Sequence, residues 1–510
     1  MAHEDGSYEW LHSSDWRVSE VRLLSEIGKF GETRSHRNRA KDNLLIQGDA
    51  LNALTSLTRL PEFAREYVGK VKLCYIDPPF NTQQSFLHYD DALEHSVWLT
   101  MIRDRLVQVR QLLSQEGSVW LHCDDSEQAY AKVVLDEVFG RENFVANIIW
   151  EKADSPRNSA RQFSTDHDYI LVYSKAPDWK PYRLPRDEKS NSIYRNPDDD
   201  PRGDWLPGDP YANKPYSKGL YTLIGPTGRE FRPPPGRYWR ISEPKLKELD
   251  ADSRIWWGPN KDARPSIKKF VSEVADLVPR TLWSKADVGS NRTSKNEMRN
   301  LFPGLESFAT PKPEALIKRI LEIGSKEGDI VLDCFLGSGT TAAVAHKGKR
   351  AWVGIEMSID TIDAYSLPRI RKVITGEDEG GVSDEFAWTG GGGMRHIKVE
   401  PSMFDEDDGT VYLADWATNG NLAEATAAQL GYDFCPELPF AGIKGRTRLA
   451  VIDGLVNEAV VRAITGSLGE GERVVLCGTA IDPDCRHLLK ELRPGSTLRK
   501  IPSSILAMYR

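Results

Sequence analysis

Cysteine is scarce in this chain: six in 510 residues, at positions 74, 123, 334, 435, 477 and 485. None of them shows the paired spacing of a metal site, and the count is too low for a disulfide scaffold. Free, mostly buried thiols in a reducing cytoplasm are therefore expected. Long apolar runs are missing too, and nothing approaches the ~20 residues needed to span a bilayer. The acidic, polar start Met1-Ala2-His3-Glu4-Asp5-Gly6 does not read as a signal peptide. No Walker loop is present, because the glycine turn nearest to one places Thr340 after Gly339 where lysine is required. No helicase or nuclease motif is visible, so any cleavage of nucleic acid would need another chain.

What is there describes a soluble globular protein, with 40% hydrophobic and 28% charged residues. The length exceeds one ordinary domain, and two or three are expected. A net charge of −8 argues against a nucleic-acid partner until it is resolved along the chain. Residues 175–300 carry 25 Lys+Arg against 18 Asp+Glu, whereas 375–510 carry 13 against 21. An acidic C-terminal part thus masks a basic middle, and phosphate responds to the local field rather than to the sum.

The run Cys74-Tyr75-Ile76-Asp77-Pro78-Pro79-Phe80-Asn81 is an apolar strand ended by an acid, two prolines and an aromatic. Proline donates no ladder bond and restricts its predecessor, so the chain leaves its sheet there. Asp77 and Phe80 then sit at the carboxyl end of a strand, where open α/β sheets bind ligands. Alone, this is equally a strand-exit turn.

A second strand-and-turn lies some 260 residues on, in Val331-Leu332-Asp333-Cys334-Phe335-Leu336-Gly337-Ser338-Gly339-Thr340-Thr341. Two glycines permit a tight turn whose backbone approaches a ligand closely, and the alanine-rich helix after it aims amides at that ligand. Ala342 stands where a dinucleotide fingerprint wants its third glycine and tolerates alanine, so a nicotinamide or flavin cofactor is not excluded by the loop. The next strand, Arg350-Ala351-Trp352-Val353-Gly354-Ile355-Glu356, ends in an acid placed to accept both hydroxyls of a ribose. Dehydrogenases share that acid. Only the combination with Asp-Pro-Pro-Phe separates the readings, since hydride transfer has no use for that tetrapeptide.

In that combination the chain resembles a β-group DNA amino-methyltransferase, similar to the modification subunits of type III restriction–modification systems. That group carries Asp-Pro-Pro-Tyr/Phe ahead of Phe-x-Gly-x-Gly, the circularly permuted order found in this sequence. Further segments follow in the group's order: Asn43 to Asp49, the helix from Trp98 to Leu113, the strand Ser118 to His122, Glu142 to Trp150, Asp168 to Tyr173 and Phe308 to Glu314. The likeness runs from about residue 8 to 372. It implies an α/β fold: a Rossmann-like doubly wound methyltransferase sheet, circularly permuted, with an inserted target-recognition domain and a small C-terminal α/β domain.

The resemblance also assigns roles. Asp77 and the carbonyl of Pro78, held rigid by Pro79, would accept the two N–H bonds of an exocyclic amine, and Phe80 would stack on a base swung out of the duplex. S-adenosylmethionine would be the methyl donor. Asp333, Phe335, Gly337, Ser338, Gly339 and Thr340 would form its cradle, Glu356 would hold its ribose, Asp49 would accept from its adenine amine, and Lys312 would lie near its carboxylate. No metal is required. Asp before Pro-Pro points to adenine N6, with cytosine N4 as the alternative, because both amines need the same two acceptors. A DNA-recognition subunit acting with a partner is a further alternative, as is methylation of RNA. The implied partners are double-stranded DNA, a helicase–nuclease restriction subunit and a second copy of the chain.

Composition divides the sequence into an N-terminal arm (1–41), a catalytic half (42–175), a target-recognition insert (176–300), a cofactor-binding half (301–375), a glycine- and acid-rich linker (376–394) and a small α/β domain (395–510), whose expected role is contact with a subunit or partner. Within the arm a helix is expected over Ser14–Ile27, then a basic stretch from Arg34 to Lys41. In the insert, interleaved aromatics and arginines such as Tyr238-Trp239-Arg240 suit stacking on nucleic acid, with about half of the aromatics expected in its own core. Asp124-Asp125 read as the N-terminal cap of a helix over Glu127–Phe139.

Overall fold

Ten short runs drawn from positions 24 to 399 pair into one sheet in the computed structural model of this protein. They are β1 (Leu24–Gly31), β2 (Asn43–Gln47), β3 (Val71–Ile76), β4 (Leu113–Cys123), β5 (Phe144–Glu151), β6 (His167–Ser174), β7 (Leu282–Trp283), β8 (Ile330–Asp333), β9 (Ala351–Glu356) and β10 (Gly393–Val399). Their order across the sheet is β1-β10-β2-β9-β8-β3-β4-β6-β5-β7. The structure describes residues 9–12, 14–80, 85–86, 89–90, 94–156, 160, 162–306 and 308–509; Asn81 and Met1–Gly6 lie outside them.

β2, β9, β8, β3 and β4 run parallel, and β3 sits between β8 and β4 near the middle. Every residue of β3 is buried, as a strand covered on both faces requires. On one face the helices α1 (Ala50–Arg59), α2 (His95–Leu112) and α3 (Gln128–Phe139) bring Leu54, Leu106 and Leu135 into one core with Ile76, Leu121 and Leu332. On the other, α4 (Glu314–Gly324) comes so close that a Cβ at Gly324 would collide with Leu73. Two further helices, α5 (Thr340–Lys347) and α6 (Leu367–Thr375), complete the part that carries the glycine turn. The sheet is mixed, parallel at its centre and antiparallel toward β6 and β5 and at β1, with helices on both faces, in keeping with the α/β class expected. No helix among the described residues is long and apolar enough to cross a membrane.

The N-terminal helix expected over Ser14–Ile27 is only four residues long, Trp16–Ser19, and the chain then enters β1. The cause is a ladder partner no local pattern reveals: β1 runs antiparallel to β10, with Leu24 opposite Val399 and Gly31 opposite Gly393. The basic stretch is folded down as well. Arg39 is buried against Glu62 and over the Phe63 ring, and Tyr67 donates to the Ala40 carbonyl at 2.6 Å.

The linker expected over 376–394 is packed in place. Asp378 lies 2.8 Å from the buried Lys347, the Val382 N–H reaches Glu314 Oε2 at 3.0 Å, and Trp388 donates to the Val373 carbonyl at 2.8 Å. Its glycines serve close passage rather than freedom. Gly390, Gly391 and Gly392 have φ of 104°, 114° and 73°, and a Cβ on Gly393 would strike the backbone of Glu32. The chain emerges directly into β10, between β1 and β2.

Beyond it, residues up to 510 belong to the same compact unit as the sheet. They include a five-stranded sheet, in order Asp433–Glu437, Phe440–Lys444, Thr447–Val456, Arg473–Ile481 and Thr497–Lys500, with helices Glu458–Gly466 and Cys485–Leu492. Leu449, Cys477, Ile501 and Ile505 join the core of the large sheet.

Arg183–Pro279 form the second compact unit, shorter at both ends than the insert expected over 176–300. It holds 18 Lys+Arg against 15 Asp+Glu, so most of the surplus counted over 175–300 lies outside it. Tyr211, Leu223, Phe231, Trp239, Leu246, Ile255 and Trp257 make its core. Much of the arginine–aromatic interleaving is internal. Arg237 and Arg264 lie over Tyr211, Arg229 over Phe231, and Arg202 and Arg254 over Phe270, at 4.7–5.4 Å. Those rings and cations are committed to each other rather than to a nucleic acid.

Candidate active site

The prolines end β3 as the sequence requires, and the turn they make is fixed from below by Trp98. That side chain is fully buried in α2 and donates from Nε1 to the Pro79 carbonyl at 2.6 Å. Asp77 and Phe80 are thereby presented at the carboxyl end of the sheet. The glycine turn rises beside them, because β8 is the immediate parallel neighbour of β3, with Leu332 opposite Cys74 and Asp333 opposite Tyr75. Two segments about 260 residues apart in sequence thus meet at adjacent strand ends.

In the turn, Gly337 and Gly339 adopt φ of 53° and 83°, a region that favours glycine. Gly339 is the residue before α5, whose eight residues are all buried. The turn is tied to β9: the Leu336 N–H bonds the Ile355 carbonyl at 2.9 Å, and Glu356 Oε2 accepts the Gly337 N–H at 2.9 Å. Glu356 Oε1 accepts from the Ser358 N–H at 2.8 Å. Asp333 Oδ1 accepts the Phe335 N–H at 3.0 Å. Burial pushes the Asp333 carboxyl up to about 7, against hydrogen bonds from Thr341 and Phe335, and the nearby Asp77 and Glu356 add to the rise.

The Lys312 ammonium sits 2.6 Å from Asp77 Oδ2 and 5.1 Å from the centre of the Phe80 ring, so it is an ion-pair partner of the motif acid. Asp77 Oδ1 is buried and has no hydrogen-bond partner among the described residues. Asp49 caps α1, accepting from the N–H groups of Leu51 and Asn52 at 2.8 and 3.2 Å, and its other oxygen takes Arg105 Nη2 at 2.6 Å. Burial pushes the Asp49 carboxyl up, but the Arg105 charge and the two amides outweigh it and leave the group below its ordinary value. Arg105 also lies 5.9 Å over Phe335, which links Asp49 to the turn. Ser338 Oγ and Thr340 Oγ1 are 3.3 Å apart, and Arg369 donates to Thr340 Oγ1 at 2.8 Å. The structure therefore brings Asp77, Phe80 and Lys312 together, and joins Gly337 directly to Glu356. Asp124 accepts from the Ser126 N–H in the turn ahead of α3 and does not cap the helix itself.

Residues 71–366 match the model of a family described as DNA methylase. The chain belongs to the DNA methylase family. It is 30% identical over 452 residues to a Haemophilus influenzae protein named "Probable type III restriction-modification enzyme HindVI Mod subunit", covering 76% of this chain and 59% of that one. It is 31% identical over 337 residues to the type III restriction-modification enzyme StyLTI Mod subunit of Salmonella typhimurium, covering 60% of this chain and 50% of that one. The type II methyltransferase M.EcaI of Enterobacter cloacae is 30% identical over 308 residues, covering 57% and 62% respectively. The chain thus spans about half to three-fifths of the length of these curated relatives.

Sequence reasoning missed a buried group behind the DNA methylase motif. His122, the penultimate residue of β4, is fully buried, with Nδ1 2.8 Å from the Tyr75 hydroxyl and Nε2 3.4 Å from Asp168 Oδ2. Lys152 Nζ holds the other Asp168 oxygen at 2.5 Å. Burial raises the Asp168 carboxyl, but His122 and Lys152 outweigh it and bring it to about 2. Burial, reinforced by the Lys312 charge, lowers His122 against the pull of Asp168 and Asp77, so the ring is neutral at pH 7. The signal in the sequence was a polar residue near the end of one apolar strand and another near the start of a second.

A carboxylate depressed from 3.8 to about 2 stabilises the fold above about pH 4, and the contribution is lost as pH falls through about 2. Asp168→Asn is expected to cost about 2 kcal/mol in urea unfolding at pH 7, and the gap to wild type should narrow between pH 5 and pH 2. A gap independent of pH would show that the carboxylate is not what Lys152 and His122 stabilise.

Proposed function

We propose that this chain transfers a methyl group from S-adenosylmethionine to the N6 amine of an adenine rotated out of double-stranded DNA. The observation that carries the reading is Asp77 Oδ1, a buried acceptor without a partner among the described residues, set beside the glycine turn on adjacent parallel strands. An amine N–H supplies the missing donor.

The residues present fit the donor. Gly337 takes a φ of 53° that favours glycine, so its backbone can turn tightly beneath a ligand. Glu356, anchored by two backbone amides at the end of β9, stands where the hydroxyls of a ribose would be accepted. Bound there, S-adenosylmethionine supplies an electrophilic methyl on a positively charged sulfur. Asp77 Oδ1 and the Pro78 carbonyl accept the two amine N–H bonds and direct the nitrogen lone pair at that methyl. Lys312 keeps the second Asp77 oxygen engaged, so that the carboxylate cannot rotate away from the amine. Phe80 supports the extruded ring, and Asp77 is placed to take the proton the amine releases. Orientation of two bound partners supplies most of the rate, as effective molarities permit.

The type III and type II names of the relatives support a place in a restriction–modification system. Asp before Pro-Pro, with the Mod-subunit names, favours adenine over cytosine. In such a system the cleaving partner is a separate helicase–nuclease chain, the methylase acts as a pair of copies, and the setting is cytoplasmic. The test is to incubate the purified protein with tritium-labelled donor and duplex DNA, then analyse the nucleosides and sequence the modified positions. N6-methyladenine at one sequence context is expected. N4-methylcytosine alone would overturn the base assignment, and no incorporated label would overturn the activity.

A further inference from the structure

One face of Phe80 lies against His122, whose ring is 5.6 Å away at an interplanar angle of 27°, a stacked arrangement, and Lys312 Nζ stands 5.1 Å from the centre of the Phe80 ring. A buried imidazole that merely filled space would have no need of a fixed plane, yet this one is constrained on every side. Tyr75 meets Nδ1 through its hydroxyl at 2.8 Å and the ring edge-on at 6.2 Å and 78°. Trp150 stands against it edge-on at 5.5 Å and 88°. Asp168 faces Nε2 at 3.4 Å and is itself held by Lys152. These contacts come from strands β3, β5 and β6 and the residue that follows β5, so the plane of the ring is set by the sheet rather than by the turn that carries Phe80.

We propose that His122 is a positioning residue for base extrusion: held in plane by Tyr75 and Trp150, it backs Phe80 and so fixes the platform on which the extruded base stacks. The inference rests on the proposed function. The Pro-Pro turn gives Phe80 its height above the sheet, through the Trp98 bond, but nothing in the turn sets the tilt of the ring. The imidazole face does that. It stays uncharged, because burial and the Lys312 ammonium both oppose a second positive charge there. A neutral ring leaves Lys312 free to serve Asp77 without repulsion from below. Misplacement of a reacting group by an ångström costs up to about a hundredfold in rate, which sets the scale for losing the support.

The experiment uses the full chain and the duplex sequence that wild type methylates, with 2-aminopurine at the target base to report extrusion. His122→Asn, which keeps a hydrogen-bonding side chain but no stacking face, is expected to lower the fluorescence gain and to reduce kcat about tenfold or more, with KM for the donor and donor affinity in calorimetry within twofold. His122→Phe, which restores the face, is expected to recover kcat to within about threefold of wild type. Should His122→Asn fail to fold by circular dichroism, Tyr75→Phe removes the hydroxyl on Nδ1 without removing the ring and is expected to lower kcat at least threefold. Extrusion and kcat unchanged in the folded His122→Asn or Tyr75→Phe variant would overturn the inference, and so would His122→Phe that binds donor normally yet stays as slow as His122→Asn. A wild type that methylates no duplex would instead overturn the proposed function, and this inference with it.

Discussion

Asp77→Asn is expected to lower methyl transfer about 100- to 1000-fold while donor affinity in calorimetry stays within severalfold of wild type. The substitution keeps the shape of the side chain and removes its charge. Two things change. Oδ1 becomes a weaker acceptor for the amine, and Lys312, 2.6 Å from the other oxygen, loses its counter-ion. A thousandfold loss corresponds to about 4 kcal/mol of transition-state stabilisation, a reasonable worth for one charged acceptor in a water-poor site. Donor affinity survives because Gly337 and Glu356 are held to each other, in the turn after β8 and at the end of β9, on strands other than the one that carries Asp77. Transfer within fivefold of wild type, in a variant that melts normally, would remove Asp77 from the chemistry and the orphan oxygen from the argument for function.

The second large effect concerns stability. Glu314, at the start of α4, is buried and receives Lys347 Nζ at 2.8 and 3.1 Å, Arg369 Nη2 at 2.8 Å and the Val382 N–H at 3.0 Å. One carboxylate thus neutralises two buried cations, while Asp378 assists Lys347 from the far side. Burial alone would raise Glu314, but Arg369 and Lys347 outweigh it and keep it ionised, whereas Glu297 nearby is pushed up to about 7 by burial and by the Glu314 charge. Glu314→Ala takes the Glu314 carboxylate from Arg369 and leaves Lys347 with Asp378 alone, and is expected to cost about 3–5 kcal/mol, read as a lower urea midpoint at pH 7. Because Arg369 also donates to Thr340 Oγ1 at the foot of the glycine turn, donor affinity should fall with it. A loss below about 1 kcal/mol would mean that water reaches the cluster and screens it.

The parts of the fold legible in the sequence were those punctuated locally. β3 announced its end with two prolines, β8 with Gly-x-Gly and β9 with an acid, and these three strands carry the candidate site. The motif acid and the glycine turn were readable for the same reason. The pairing of Lys312 with Asp77 was not readable, because the two stand 235 positions apart and no local pattern joins them. His122 and Asp168 looked like ordinary strand ends. Their meaning depends on β4 and β6 lying antiparallel, which no spacing reveals. In the insert, composition alone could not tell rings that face one another from rings that face a ligand. The N-terminal strand was read as a helix because its ladder partner lies more than 360 residues downstream.

That distant partner has a practical consequence. β10 is the only sheet neighbour of β1 and shields the outer flank of β2. A shortened gene stopping after Thr375, where the family motifs run out, would deprive both strands of their hydrogen-bonding complement and leave raw main-chain amides and carbonyls along a cut seam. Such a fragment should be recovered as clumped material rather than as a working minimal enzyme, and useful truncations must begin beyond Val399.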